Sequence, residues 1–133
     1  MVTFELDFQQ CPIAIAFTHI EKKWTINIIR DMLNGQYKFS DFLNRNPELS
    51  TRVLSLRLAD MEEDNLIYRH VIDTKPVTIE YGLTEKGRAL TKVLYELAMF
   101  SYHYHIKEVL PSEFWNISKE EFSNKVKEEL RMI

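Results

Sequence analysis

Between Ser50 and Tyr81 the periodicity of this chain switches once, from a helical repeat to two β-branched stretches, and that junction restricts the fold more than any other feature of its 133 residues. Ser50 suits a helix N-cap. On a wheel of about 100° per residue, Val53, Leu54, Leu58 and Met61 fall together and belong to a core. Thr51, Arg52, Ser55, Leu56 and Ala59 fall on the opposite side. Arg57 lands near the apolar side, where its stem packs and its head pairs locally. The helix runs to about Asp64 and ends on Glu62, Glu63 and Asp64, acids that repel phosphate, so its N-terminal half is the part suited to a DNA groove. Leu66 to Asp73 and Val77 to Leu83 then read as strands, joined by a connection at Asp73-Thr74-Lys75-Pro76. The result is a mainly α fold with a small β-hairpin wing, a winged helix-turn-helix of the α+β type.

The flanking segments agree with that reading. A first helix starts near Pro12 and carries Ile13, Ala16, Phe17 and Ile20; a second runs from about Trp24 to Leu33 and stops at Asn34-Gly35. Tyr37-Lys38-Phe39 is a short extended piece. Ser40 is expected to cap a brief helix from Asp41 to Arg45, and Asn46-Pro47 forces the turn that follows. After the wing, Thr84 is expected to cap one long helix reaching about Val109, with Leu90, Val93, Leu94, Leu97, Phe100 and Tyr104 repeating along it. Ser118 caps a last helix, about Lys119 to Arg131. Residues 1–110 are assigned to the winged domain with its dimerisation helices, and 111–133 to a helical extension of it.

Composition narrows the class. Hydrophobic residues make up 45% and charged residues 28%, ordinary for a globular domain, and a single cysteine rules out an intramolecular disulfide. Met1 to Gln10 has neither the bases nor the apolar run of a targeting peptide, and no segment approaches a membrane span. A cytoplasmic protein is expected. The net charge is −3, yet Lys22 to Arg57 holds seven bases against three acids. A local basic window in an acidic chain fits either a DNA-facing surface or a solvated helical one. No glycine-rich phosphate loop, zinc spacing or Ser/His/Asp set is present, so neither enzyme nor cofactor is expected. His103 and His105 lie two apart, on different helix faces, and do not form a metal pair.

Taken in order, Cys11-Pro12, Lys23-Trp24-Thr25, Lys38-Phe39-Ser40, Leu54-Ser55, Arg57-Leu58, Glu62-Glu63-Asp64, Glu80-Tyr81 and Leu83-Thr84-Glu85-Lys86-Gly87 resemble the HxlR-type winged helix-turn-helix regulators. The resemblance implies a bacterial or archaeal transcription regulator acting as a homodimer, built from the first helix (Ile13, Phe17) and the long helix after the wing (Leu90, Val93, Leu94, Leu97, Phe100, Tyr104). It also implies that Cys11 stands where some members sense oxidants or electrophiles. Lys22, Leu56 and Val77-Thr78 depart from the family pattern, which leaves Lys75 as the base near the wing tip.

The expected partners are double-stranded DNA and a second copy of the chain, with a small molecule or an oxidant as effector. Thr51, Arg52 and Ser55 are the expected base or phosphate contacts, with Leu56 placed to meet a thymine methyl. Ser50 opens the same helix. Ser40 would seat a phosphate, with Lys38, Lys23 and Lys75 as point charges. A thiolate is the reactive form of cysteine, and Cys11 precedes a helix. The competing class is a winged-helix protein-interaction module that does not bind DNA.

Overall fold

The computed structural model describes residues 11–132. Met1–Gln10, read above as carrying no targeting signal, lie outside them. The described chain runs α1 (Pro12–Phe17), α2 (Thr25–Leu33), α3 (Phe39–Arg45), α4 (Thr51–Glu63), β1 (Ile67–Thr74), β2 (Val77–Leu83), α5 (Glu85–Arg88), α6 (Thr91–Tyr104), α7 (Ile106–Val109), a 3₁₀ turn and α8 (Lys119–Glu129). This is the mainly helical fold with a two-stranded antiparallel hairpin that the sequence predicts.

Helix exits set the angles between elements. At the end of α2, Gly35 takes φ +90°, and the N–H groups of Gly35 and Gln36 donate to the carbonyls of Met32 and Asp31. At the end of α4, Asn65 takes φ +62°, and Asn65 and Leu66 donate to Glu62 and Met61. Both are Schellman exits, which satisfy the last carbonyls, and the second swings the next apolar residue inward. Leu66 is accordingly buried, and the chain enters β1 directly. The core gathers Ile28, Ile29, Met32, Phe42, Leu54 and Leu58 with the wing base (Ile67, Leu83) and with Leu94 and Leu130 from the later helices. The tail beyond residue 110 therefore contributes to the same core.

The Thr84–Gly87 segment fastens the wing to α4. The Thr84 hydroxyl donates to the Asn65 carbonyl at 2.7 Å and accepts from the Gly87 N–H at 3.1 Å, while Lys86 Nζ donates to the Asp64 carbonyl at 2.8 Å. A Cβ at Gly87 would stand 2.2 Å from the Leu66 carbonyl oxygen, so only glycine allows this approach.

Several expectations are corrected. Ser40 is not an N-cap: α3 begins at Phe39, Lys38 holds the cap position, and the Asp41 carboxylate accepts from the Lys38 N–H at 2.9 Å. Trp24 precedes α2 rather than opening it, with φ +80°. Helix α1 ends at Phe17, so Ile20 reaches the core from beyond it. The hairpin connection is shorter than four residues, because the strands pair as far as Thr74 and Val77, with a register shift between Val71 and Asp73. The long helix is three helices, α5, α6 and α7, interrupted after Arg88 and at His105. Leu90 and Leu94 face inward, as does Met99 further along α6, while Val93, Leu97, Phe100 and Tyr104 face outward.

Candidate nucleic-acid interface

Helices α3 and α4 form the helix-turn-helix. Between them the Leu49 N–H donates to the Asn46 carbonyl at 2.9 Å, and Leu49 is buried beneath the turn. Ser50 Oγ accepts from the Val53 N–H at 3.1 Å, the N-cap bond expected of it. The turn is fixed from below by one carboxylate. Asp31, fully buried on α2, accepts from Asn46 Nδ2 at 2.7 Å and from Arg30 Nη2 at 2.8 Å, and lies 3.4 Å from Arg45 Nε. Asn46 also donates to the Phe42 carbonyl at 2.8 Å, and Arg45 Nη2 bonds Glu129 of α8 at 2.9 Å. The sequence reading counted Asp31 only as a charge. Its position among Ile28, Ile29, Met32 and Leu33 is the signal that places it inside.

This cluster changes the meaning of the basic window. Of the seven bases from Lys22 to Arg57, Arg30 and Arg45 are committed to Asp31. Lys22 and Arg57 are committed to Asp60, at 2.9 and 3.6 Å, and Arg57 Nε also donates to the Lys23 carbonyl. Arg57 thus packs and pairs locally, as its wheel position predicts. The Lys23 ammonium lies 5.2 Å from the centre of the Trp24 ring. Arg52 and Lys38 form no ion pair among the described residues.

The N-terminal flank of α4 is open. Thr51, Arg52 and Ser55 are exposed, and Leu56 is 51% exposed, while Leu54, Leu58 and Met61 on the opposite side are buried. At the far end Asp60 is partly neutralised by Lys22 and Arg57, and the Asp64 carboxylate lies 3.3 Å from His19 Nδ1. Lys38 and Ser40 are exposed at the start of α3, and Lys75 at the hairpin tip. The outer part of the wing is open to solvent, with Tyr68, Val71, Ile72 and Val77 exposed. Arg69 is exposed on β1 opposite Tyr81, a base that a search limited to the wing tip overlooks.

Two further surfaces stand apart from this one. Cys11 occupies the N-cap position of α1 and is half-buried. Helix α1 itself buries none of its residues, leaving Ile13 79% and Phe17 54% exposed. On α6, Val93, Leu97, Phe100 and Tyr104 are exposed, whereas Leu94 is buried within its own chain and Leu90 packs beside it.

An exposed helix over a helix-turn-helix scaffold, followed by a two-stranded wing, defines a winged helix-turn-helix transcription regulator. The match of residues 19–109 to the HxlR-like helix-turn-helix model places the chain in that family. The HTH-type transcriptional regulator YvaP of Bacillus subtilis (strain 168) is 42% identical over 82 residues, 62% of this chain and 76% of its own. YdeP from the same organism is 32% identical over 98 residues, 74% of this chain and 77% of its own. Among solved structures, the reduced form of the transcriptional regulator YodB from B. subtilis is 30% identical, covers 71% of this chain and 94% of its own, and superposes with a TM-score of 0.60. The redox regulator HypR in its oxidised form is 28% identical, covers 71% and 98%, and superposes with a TM-score of 0.66.

The Asp31 cluster yields a stability prediction. Asp31→Ala leaves Arg30, Arg45 and Asn46 without their common acceptor, and urea denaturation is expected to show a loss of about 3–5 kcal/mol. Lys22→Ala, which removes an exposed pair, is expected to cost under about 1 kcal/mol. Equal effects of the two substitutions would contradict the role given to Asp31.

Proposed function

We propose that this chain acts as a homodimer that inserts the N-terminal half of α4 into the major groove of double-stranded DNA. The observation that carries the reading is the uncovered flank of Thr51, Arg52, Ser55 and Leu56, whose one guanidinium forms no ion pair among the described residues. An arginine in that setting can grip guanine O6 and N7 with two bonds, and Leu56 can pack on a thymine methyl. Ser50, Ser40 and Lys38 lie on the same helix-turn-helix and supply phosphate contacts, with Lys75 reaching along the backbone from the wing. Such a regulator works in the cytoplasm of a prokaryotic cell and needs no catalytic group.

Arg52→Ala is expected to weaken binding to the selected site by about 1–3 kcal/mol and to relax preference at one position. Lys38→Gln and Lys75→Gln are expected to weaken all sequences alike and to lower the salt slope by about one each. A gel-shift series at two salt concentrations checks both. Salt-independent or undetectable binding would favour the protein-interaction module instead.

The dimer reading rests on apolar surface that one chain leaves uncovered. A six-residue helix with no buried residue has little to hold it in water, and its Ile13 and Phe17 lie exposed in the same chain as Val93, Leu97, Phe100 and Tyr104. A two-fold pair would cover these faces and present two copies of α4. Sedimentation is expected to give twice the chain mass for the wild type and the chain mass for Phe17→Asp. A monomeric wild type at micromolar concentration contradicts this assembly.

Cys11 is the candidate thiol sensor. HypR is named a redox regulator, and YodB has a diamide-treated form among its solved structures. With one cysteine per chain, oxidation gives either an intersubunit disulfide or a mixed disulfide with a small thiol. Diamide is expected to change the DNA affinity of the wild type and leave Cys11→Ser unchanged. An equal response in both proteins would remove Cys11 from the sensing role.

A further inference from the structure

The last helix does more than complete the core. Between α2, α6, α7 and α8 runs an open groove of about 740 Å³. That volume falls within the range of small-molecule sites. Its floor is the buried trio Leu94, Phe122 and Leu130, and Ile26, Ala98 and Val109 line its sides. Much of this wall comes from α8, which lies outside the stretch matched by the family model.

The polar groups are few and carry a bias of charge. Arg30, Lys125 and Glu129 line the groove, with Ser101. Glu129 is already bonded to Arg45 at 2.9 Å. Arg30 spends Nε and Nη2 on Asp31 and Asn46, while its Nη1 makes no hydrogen bond among the described residues. Lys125 has no ion pair among them. Among the residues that line the groove, Arg30 and Lys125 thus stand against one carboxylate, Glu129, while Lys125 also borders Glu121 and Glu128 on the neighbouring face of α8. Arg30 is partly buried and Lys125 exposed, and positive charge at the rim of apolar walls favours a ligand of the opposite sign with an apolar body.

We propose that this groove is an effector site for an amphipathic monocarboxylate, its apolar body on Leu94, Phe122 and Leu130 and its carboxylate on Lys125 and Arg30. The proposal rests on the regulator reading above and supplies the small-molecule class for it. It also places the ligand beside the DNA-reading unit. Arg30 and Glu129 line the groove, and both belong to the ionic chain that holds Asn46 and Arg45 at the end of α3. A carboxylate drawn to Arg30 competes with Asp31 for the guanidinium that helps to position the turn before α4.

Calorimetric titration of the full chain with decanoate and with decan-1-ol, both below their aggregation limits and without DNA, tests the site. Saturable binding of one decanoate per chain is expected, with the alcohol about tenfold weaker, the ratio of one charge-assisted hydrogen bond. Lys125→Gln should remove most of that difference and leave the alcohol unchanged. Ala98→Phe, or Ser101→Leu if the first variant does not fold, should abolish binding of both ligands while leaving the sedimentation coefficient unaltered. Absent or non-saturable binding, equal affinity for acid and alcohol, or undiminished binding in a folded groove-filling variant would overturn the proposal. So would a change of oligomeric state in that variant, since the groove would then be covered by a second chain. DNA affinity of the ligand-free protein is measured separately. Loss of decanoate binding beside intact Arg52-dependent DNA binding rejects the groove alone, and the reverse result rejects the DNA reading alone.

Discussion

A single buried carboxylate holds the reading head of this protein in place. Asp31 lies fully buried on α2 between Ile28, Ile29, Met32 and Leu33, and a charge there is tolerable only if its oxygens are saturated. Asn46 and Arg30 donate to it, and Arg45 lies at ion-pair distance. Those partners come from α2 itself and from the end of α3 with its cap, so satisfying Asp31 fixes α3 against α2. Through Glu129 the same arrangement ties in α8. The turn that aims α4 outward follows immediately at Asn46-Pro47. An apolar residue at position 31 would pack α2 equally well but would not specify where α3 ends.

The electrostatics of the surface follow from this division of labour. A net charge of −3 is a poor advertisement for a DNA-binding protein, and much of the basic window is consumed internally. What decides the matter is location. Lys22 and Arg57, near the acidic end of α4, are turned on Asp60, which reduces repulsion there, while the opposite end keeps Arg52 unpaired among the described residues and Lys38 and Ser40 exposed nearby. The family membership and the open flank of α4 thus agree, although the summed charge points the other way.

Much of the fold was legible because it is written in local signals. Ser50, Thr84 and Ser118 each cap the helix they precede, and the β-branched stretches pair as a wing. The helical wheel of α4 separated its buried and exposed sides, and it assigned Arg57 to a local role. What escaped depended on tertiary contacts. Ser40 has a good capping side chain, but Lys38 bridges to Glu80 in β2, and this pairing starts α3 early, at Phe39. The apolar repeat from Leu90 to Tyr104 concealed a division of faces, since Leu90 and Leu94 turn into the core while Val93, Leu97, Phe100 and Tyr104 face outward. The apolar neighbours of Asp31 mark it as buried, but its partners Arg45 and Asn46 stand 14 and 15 residues away, and nothing local joins them to it. The groove on α8 was invisible for the same reason.

The central claim is that the bare flank of α4, presented twice by a symmetric pair, enters successive turns of one DNA face. Hydroxyl-radical and methylation footprinting of a site selected from random DNA measures this directly. The account predicts two protected patches on one face of the duplex, related by two-fold symmetry, with their centres about 10–10.5 base pairs apart or a multiple of that spacing, and loss of guanine protection in both patches with Arg52→Ala. A single asymmetric patch, or protection that persists unchanged without Arg52, would contradict it.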